Sequence, residues 1–108
     1  MFILLVELEA KPEAFGELET VLKSLVAIAA HESGIVHYSV QIPEGKANTF
    51  ILYECYVDRA AWEAHLKFDP VKNELERFDT LLSAPPRITF CKMVASTPLN
   101  AVAPDCKK

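Results

Sequence analysis

ILYECYVDRAAWEAHLKFDP, residues 51–70, contains the passage from strand to helix on which the fold turns. Its first half is an apolar and aromatic run of the kind that forms a half-buried strand, interrupted by Glu54. Asp58 then stands where a helix N-cap is wanted, because a short carboxylate can accept from the free N–H groups of a first turn. Behind it Ala61, Trp62, His65 and Leu66 recur on one side of a short helix. Asp69-Pro70 repeats the start signal. Two polar residues, Glu54 and His65, thus stand among apolar neighbours, eleven residues apart across a strand–helix corner.

Working outward, Thr49–Val57 is the whole strand, and "PEGKAN" (43–48) is a turn by composition. Before the turn, Ile35–Ile42 alternates as a strand with Val36, Tyr38, Val40 and Ile42 on one face. Gly34 is expected to close a preceding helix as a left-handed cap. That helix opens at Lys11-Pro12-Glu13, with proline suited to the first position and acid to the positive dipole end. Its stripe is Phe15, Leu18, Leu22, Leu25 and Ala29, supported by Val21 and Ile28. Phe2–Glu9 is the first strand. After Pro70, the stripe Val71, Leu75, Phe78 and Leu82 predicts one further helix, ended by Pro85-Pro86, and Arg87–Val94 is the fourth strand.

The order βαββαβ predicts an α+β, ferredoxin-like sandwich, with a four-stranded antiparallel sheet and the helices on one face. The first strand then lies between the third and fourth. That order separates Cys55 and Cys91 by about 9–10 Å, beyond disulfide reach. Half of the 108 residues (51%) are hydrophobic, an excess for one small core. With two apolar positions per strand expected on each face, the uncovered face is expected to pair with a second copy in a homodimer.

Charge and motif exclude several classes. Fifteen acidic against eleven basic residues, with no basic stripe, argue against nucleic-acid binding. The longest apolar run, Met1–Val6, is far short of a bilayer span and lacks the marks of a signal peptide, so no membrane partner and a cytoplasmic location are expected. The three cysteines follow no metal-binding spacing, and no metal ligand set is expected.

The stretch "GIVHYSVQIPEGKANTFILYECYVDRAAWEAHLKFDP" (34–70) resembles the central signature of the antibiotic biosynthesis monooxygenase (ABM) family. The pattern is a glycine, an aromatic four residues on, a turn, then F-x-L-Y-E-x-Y-x-D-x-x-A/W-x-x-H. The likeness runs from the first strand through Val94, giving a domain at 1–94 and a C-terminal extension at 95–108. It implies a dimeric α+β barrel, and oxidation of phenols or quinols by molecular oxygen without metal, flavin or other cofactor. Other members degrade haem, process a signalling sugar or have no established activity. Where haem-degrading members carry Asn, Trp and His, this sequence has Leu5, His65 and Leu75.

Oxygenation without a cofactor needs a substrate that becomes an electron donor on deprotonation, hence a base, an apolar pocket and an orienting group. His65 is the candidate base, because an unperturbed imidazole exchanges its proton near neutrality. Glu54, whose same-parity neighbours are Phe50, Leu52 and Tyr56, is the candidate partner fixing its tautomer. The structural alternatives are a histidine capping its helix end and a solvent-facing strand glutamate. Trp62, Tyr38, Tyr53 and Phe78 are candidate substrate-binding walls, and equally candidate core. His31 and His37 read as surface or interface residues, and Arg87 as a solvated strand end or an anion contact. A non-oxidative isomerase and a ligand-binding module without catalysis remain open alternatives. In the extension, Leu99 and Val102 are expected to dock in an apolar groove, on the partner subunit rather than their own.

Overall fold

The computed structural model describes residues 1–98; the docking expected of Leu99 and Val102 lies outside them. Its strands are β1 (Phe2–Glu9), β2 (Ile35–Gln41), β3 (Thr49–Tyr56) and β4 (Arg87–Lys92). Its helices are α1 (Phe15–Ala29), α2 (Arg59–Lys67), α3 (Asp69–Leu75) and α4 (Phe78–Leu81). The strands form one antiparallel sheet in the order β2-β3-β1-β4, as the pattern predicts. Ile3 faces Cys55 on one side and Cys91 on the other, so β1 separates the two thiols, and both are free.

The core lies between the sheet and the helices. Even-numbered residues of β1 and β3 point into it: Leu4, Val6 and Leu8 beside Phe50, Leu52, Glu54 and Tyr56. Against them α1 places Leu18, Val21, Leu22 and Leu25, each fully buried. Phe15 stacks on Phe50 with ring centroids 4.5 Å apart, fixing the entry of α1 onto the sheet. A single 3-10 turn, Pro12–Ala14, precedes α1, so Pro12 starts that turn rather than the α-helix itself.

Four local expectations are corrected. Gly34 is not a left-handed cap: α1 ends at Ala29 with Ala30 as its cap, and the positive-φ residues are Gly45 and Asn48, both in the 43–48 turn. What Gly34 provides is space. A Cβ there would stand 2.7 Å from the Ala61 Cβ, too close for two carbons. Second, a bulge between Ile35 and His37 shifts the parity of β2. Ile35, rather than Val36, therefore joins Tyr38 and Val40 against the core. Third, the helix expected after Pro70 breaks at Glu76–Arg77 into α3 and α4. It ends before Leu82, which forms a bridge with Ala10 instead. Fourth, the uncovered face is apolar mainly on the central strands. There Ile3, Leu5, Ile51, Tyr53 and Cys55 lie between His37, Ser39 and Gln41 on β2 and Arg87, Thr89 and Cys91 on β4.

Among the described residues, no helix is long and apolar enough to cross a membrane.

Candidate functional site

Glu54 is carried by the inward face of β3, with Leu4 opposite it on β1 and Tyr38 opposite it on β2. Two residues beyond the strand, Asp58 caps α2 by accepting from the Ala61 N–H at 2.9 Å. The cap turns the chain sharply, and α2 folds back over the sheet. His65 lies in the last turn of α2, but it is not a solvated cap: its side chain is 2% exposed and its ring faces the sheet. There it lies against Tyr38 and Tyr56, each ring centroid 5.6 Å away.

The partner of His65 is one the sequence does not point to. Nδ1 is 2.9 Å from a carboxylate oxygen of Glu32. Glu32 sits in the turn between α1 and β2, where its N–H donates to the Ala29 carbonyl and its carbonyl accepts from the Ile35 N–H. Gly34 in the same turn lets α2 approach closely, and its carbonyl accepts from Val57 N–H at 3.0 Å. The side chain expected to hold Nδ1, Glu54, is engaged otherwise: it accepts from the Tyr56 hydroxyl at 2.6 Å. Glu32 thus occupies the orienting position at Nδ1. The physical reason is the direction of approach, since α2 presents that edge of the imidazole to the α1–β2 turn rather than to the strand.

With Nδ1 donating to a carboxylate, Nε2 is left as the acceptor, on a side chain that lines a cavity. Burial pushes the Glu54 carboxyl above its ordinary value, opposed by the Tyr56 hydrogen bond, the positive charge His65 carries when protonated, and the Tyr38 hydroxyl. Burial beside that carboxylate also drives the Tyr38 and Tyr56 hydroxyls far upward, so both stay protonated and act as donors. The arrangement is an imidazole able to take a proton, next to a carboxyl that holds one more readily than an exposed glutamate would.

His65, Glu54 and Tyr38 open on a cavity of about 640 Å³ between the sheet and the helices. Leu4, Val6, Leu25 and Leu52 form its inner wall, with Trp62, Leu66, Leu75 and Phe78 on the helical side. Its mouth is bordered by Asp79 and by Ser83–Pro86 before β4. Of the residues singled out in the sequence, the cavity brings together His65, Glu54, Trp62, Tyr38 and Phe78. Tyr53 is excluded from it. Odd-numbered β3 residues face the opposite side of the sheet, where its ring lies 5.5 Å from His37. Arg87 is likewise on that side, bound to Glu7, which also accepts from Lys46 at 2.8 Å. His31 and His37 are exposed. No group of three or more His, Cys, Asp or Glu side chains able to hold a metal ion occurs among the described residues.

The small α+β chain that carries this site has known counterparts in sequence and fold. The antibiotic biosynthesis monooxygenase family matches residues 1–76, and the chain belongs to that family. It is 31% identical over 85 residues to "Putative monooxygenase YcnE" of Bacillus subtilis (strain 168), covering 79% of this chain and 90% of that one. Among solved structures, the NE2512 protein of unknown function from Nitrosomonas europaea superposes with a TM-score of 0.78 at 30% identity, covering 90% and 92% of the two chains. PA3566 from Pseudomonas aeruginosa superposes with a TM-score of 0.80 at 24% identity, covering 87% and 94%, a likeness of fold alone.

Proposed function

We propose that this chain is a cofactor-independent monooxygenase that oxidises a quinol or polycyclic phenol in its apolar cavity, with dioxygen as co-substrate. The observation that carries the reading is the buried His65, held at Nδ1 by Glu32 and lining an apolar cavity beside Glu54.

His65 Nε2 removes the phenolic proton. The Glu32 carboxylate fixes the tautomer that makes this possible and stabilises the imidazolium that results. The apolar walls leave the phenolate poorly solvated and electron-rich, and flat rings fit between Trp62 and Phe78 on one side and the sheet on the other. The phenolate donates an electron to dioxygen, and the two radicals combine at a ring carbon carrying hydrogen to give a peroxide. The His65 imidazolium returns its proton to the peroxide, and loss of the ring hydrogen as a proton to Glu54, with cleavage of the O–O bond and departure of water, leaves a carbonyl. The balance is one substrate CH₂ equivalent and one dioxygen in, one C=O and one water out. Glu54, whose carboxyl is raised by burial, supplies the proton to the departing oxygen. The active form is proposed to be a homodimer, joined through the sheet face away from the helices, in a reducing cytoplasmic setting.

Dioxygen uptake with a panel of quinols and polycyclic phenols tests the reading. The expected result is uptake matched one to one by a product gaining a carbonyl. Product formation from a bound phenol without uptake would replace the oxygenase by an isomerase, and binding without turnover would leave a ligand-binding module.

A further inference from the structure

The cavity lining holds acidic side chains and, His65 apart, no basic ones. None of its described lining residues is a lysine or an arginine, while Glu54 lies at its base and Asp79 at its mouth. Three neighbouring arginines are committed elsewhere. Arg77 pairs with Glu17 at 2.6 Å, and Arg87 is bound to Glu7 on the far side of the sheet. Arg59 is stacked 4.7 Å over the Phe2 ring, with Trp62 at 5.7 Å.

Asp79 lies on α4, and the backbone two and four residues after it is stitched to the end of β1 and the residues that follow. The Lys11 N–H donates to the Leu81 carbonyl at 2.9 Å, and the Ser83 N–H donates to the Glu9 carbonyl at 2.9 Å. The Ser83 hydroxyl donates to that same carbonyl at 3.2 Å, so it is partly used before any ligand arrives. An anionic substituent entering here meets an exposed carboxylate at the mouth and apolar walls behind it, with no lysine or arginine among the described lining residues to replace its lost water.

We propose that the cavity accepts uncharged phenols and rejects anionic ones, with Asp79 as the specificity-determining residue at its mouth. This rests on the reading of the cavity as a phenol site. The walls set most of the penalty against an anion, because an unpaired carboxylate is desolvated there. Asp79 adds a repulsion that a point substitution removes.

Calorimetric titration with three probes tests it: a naphthol, the matching hydroxynaphthoate, and the methyl ester of the latter as an uncharged control for size. Wild type, Asp79→Asn and Asp79→Lys are compared. In the wild type the ester should bind at least about tenfold tighter than the carboxylate. That ratio should fall about two- to fivefold in Asp79→Asn and further in Asp79→Lys, with naphthol affinity held within about twofold. Equal affinity of ester and carboxylate in the wild type overturns the proposal, as does a ratio that neither variant changes. Carboxylate binding that disappears in Arg59→Gln would show that a cation does reach the ligand, and also overturns it. If the naphthol and the ester both fail to bind, the phenol-site reading falls together with the selectivity. If they bind selectively while no quinol supports dioxygen uptake, only the oxygenase reading falls.

Discussion

Replacing Gly34 by alanine should disturb the site from a distance, through one contact. The residue has no positive φ, so its backbone accepts alanine without strain. The obstacle is the Ala61 Cβ, 2.7 Å from where the new methyl carbon would sit, with Ala61 Cα at 3.6 Å. Non-bonded carbons rest about 3.5–4.0 Å apart, so α2 and the α1–β2 turn must separate by about 1 Å. Neither side can yield by rotating a side chain, because both colliding atoms are attached directly to backbone. Overpacking of this kind costs about 1–3 kcal/mol, which in a domain of this size lowers Tm by about 4 °C or more. The same separation acts on the bond between Glu32 and His65, 2.9 Å long, whose ends lie on the two moving parts. An opening of about 1 Å carries it past hydrogen-bond range, and a misplacement of that size can cost about a hundredfold in rate. Thermal melts and dioxygen uptake of Gly34→Ala, Ala61→Gly and the double variant test the argument. Ala61→Gly alone should cost up to about 1 kcal/mol in helix propensity. The double variant should be more stable than the sum of the singles by about 1 kcal/mol or more, because the second change removes the carbon struck by the first. Strict additivity, or a Gly34→Ala protein as stable as wild type, would refute the reasoning.

Glu54→Gln should show a pH-dependent gain in stability. The carboxyl is raised by burial, so above the ordinary value of 4.5 the unfolded chain ionises while the folded chain holds its proton, and folding is penalised as pH rises towards the folded value. The variant keeps an acceptor for Tyr56 and lacks the penalty, so the Tm difference should grow from pH 4.5 to pH 8; a constant difference contradicts the assignment. The proposed homodimer, joined through the Leu5 and Tyr53 face, should bury on the order of 2,000 Å². Leu5→Glu should then shift sedimentation towards a monomer, and a wild-type monomer in dilute solution ends that proposal. Deleting residues 95–108 should weaken the dimer if the extension docks on the partner, and an unchanged dissociation constant removes that role.

The sequence disclosed what depends on local pattern. The strand parity of Phe50, Leu52, Glu54 and Tyr56 is an alternation any reader can follow, and it places Glu54 inward. Asp58 announces its cap, and the stripe of α1 announces its buried face. The same parity also excludes Tyr53 from the cavity, a signal present in the sequence, because adjacent strand residues face opposite sides. It equally offers Tyr56 as a donor to Glu54, two residues along the same face. Glu32 was not legible. In "HESG" it looks like a solvated turn residue, and its role exists only because α2 packs onto a turn 33 residues earlier in the chain. The Gly34 contact that allows this packing is hidden for the same reason, since a glycine after a helix ordinarily reads as a cap. The β2 bulge leaves no mark in "IVHYSV", where three apolar residues fit either register.

The central claim, that His65 takes the substrate proton, is tested most directly by dioxygen uptake and calorimetry on one quinol with wild type and His65→Ala. The variant should bind the quinol within about threefold of wild type, while its uptake falls at least about a hundredfold. A folded His65→Ala protein that consumes dioxygen at the wild-type rate would contradict it.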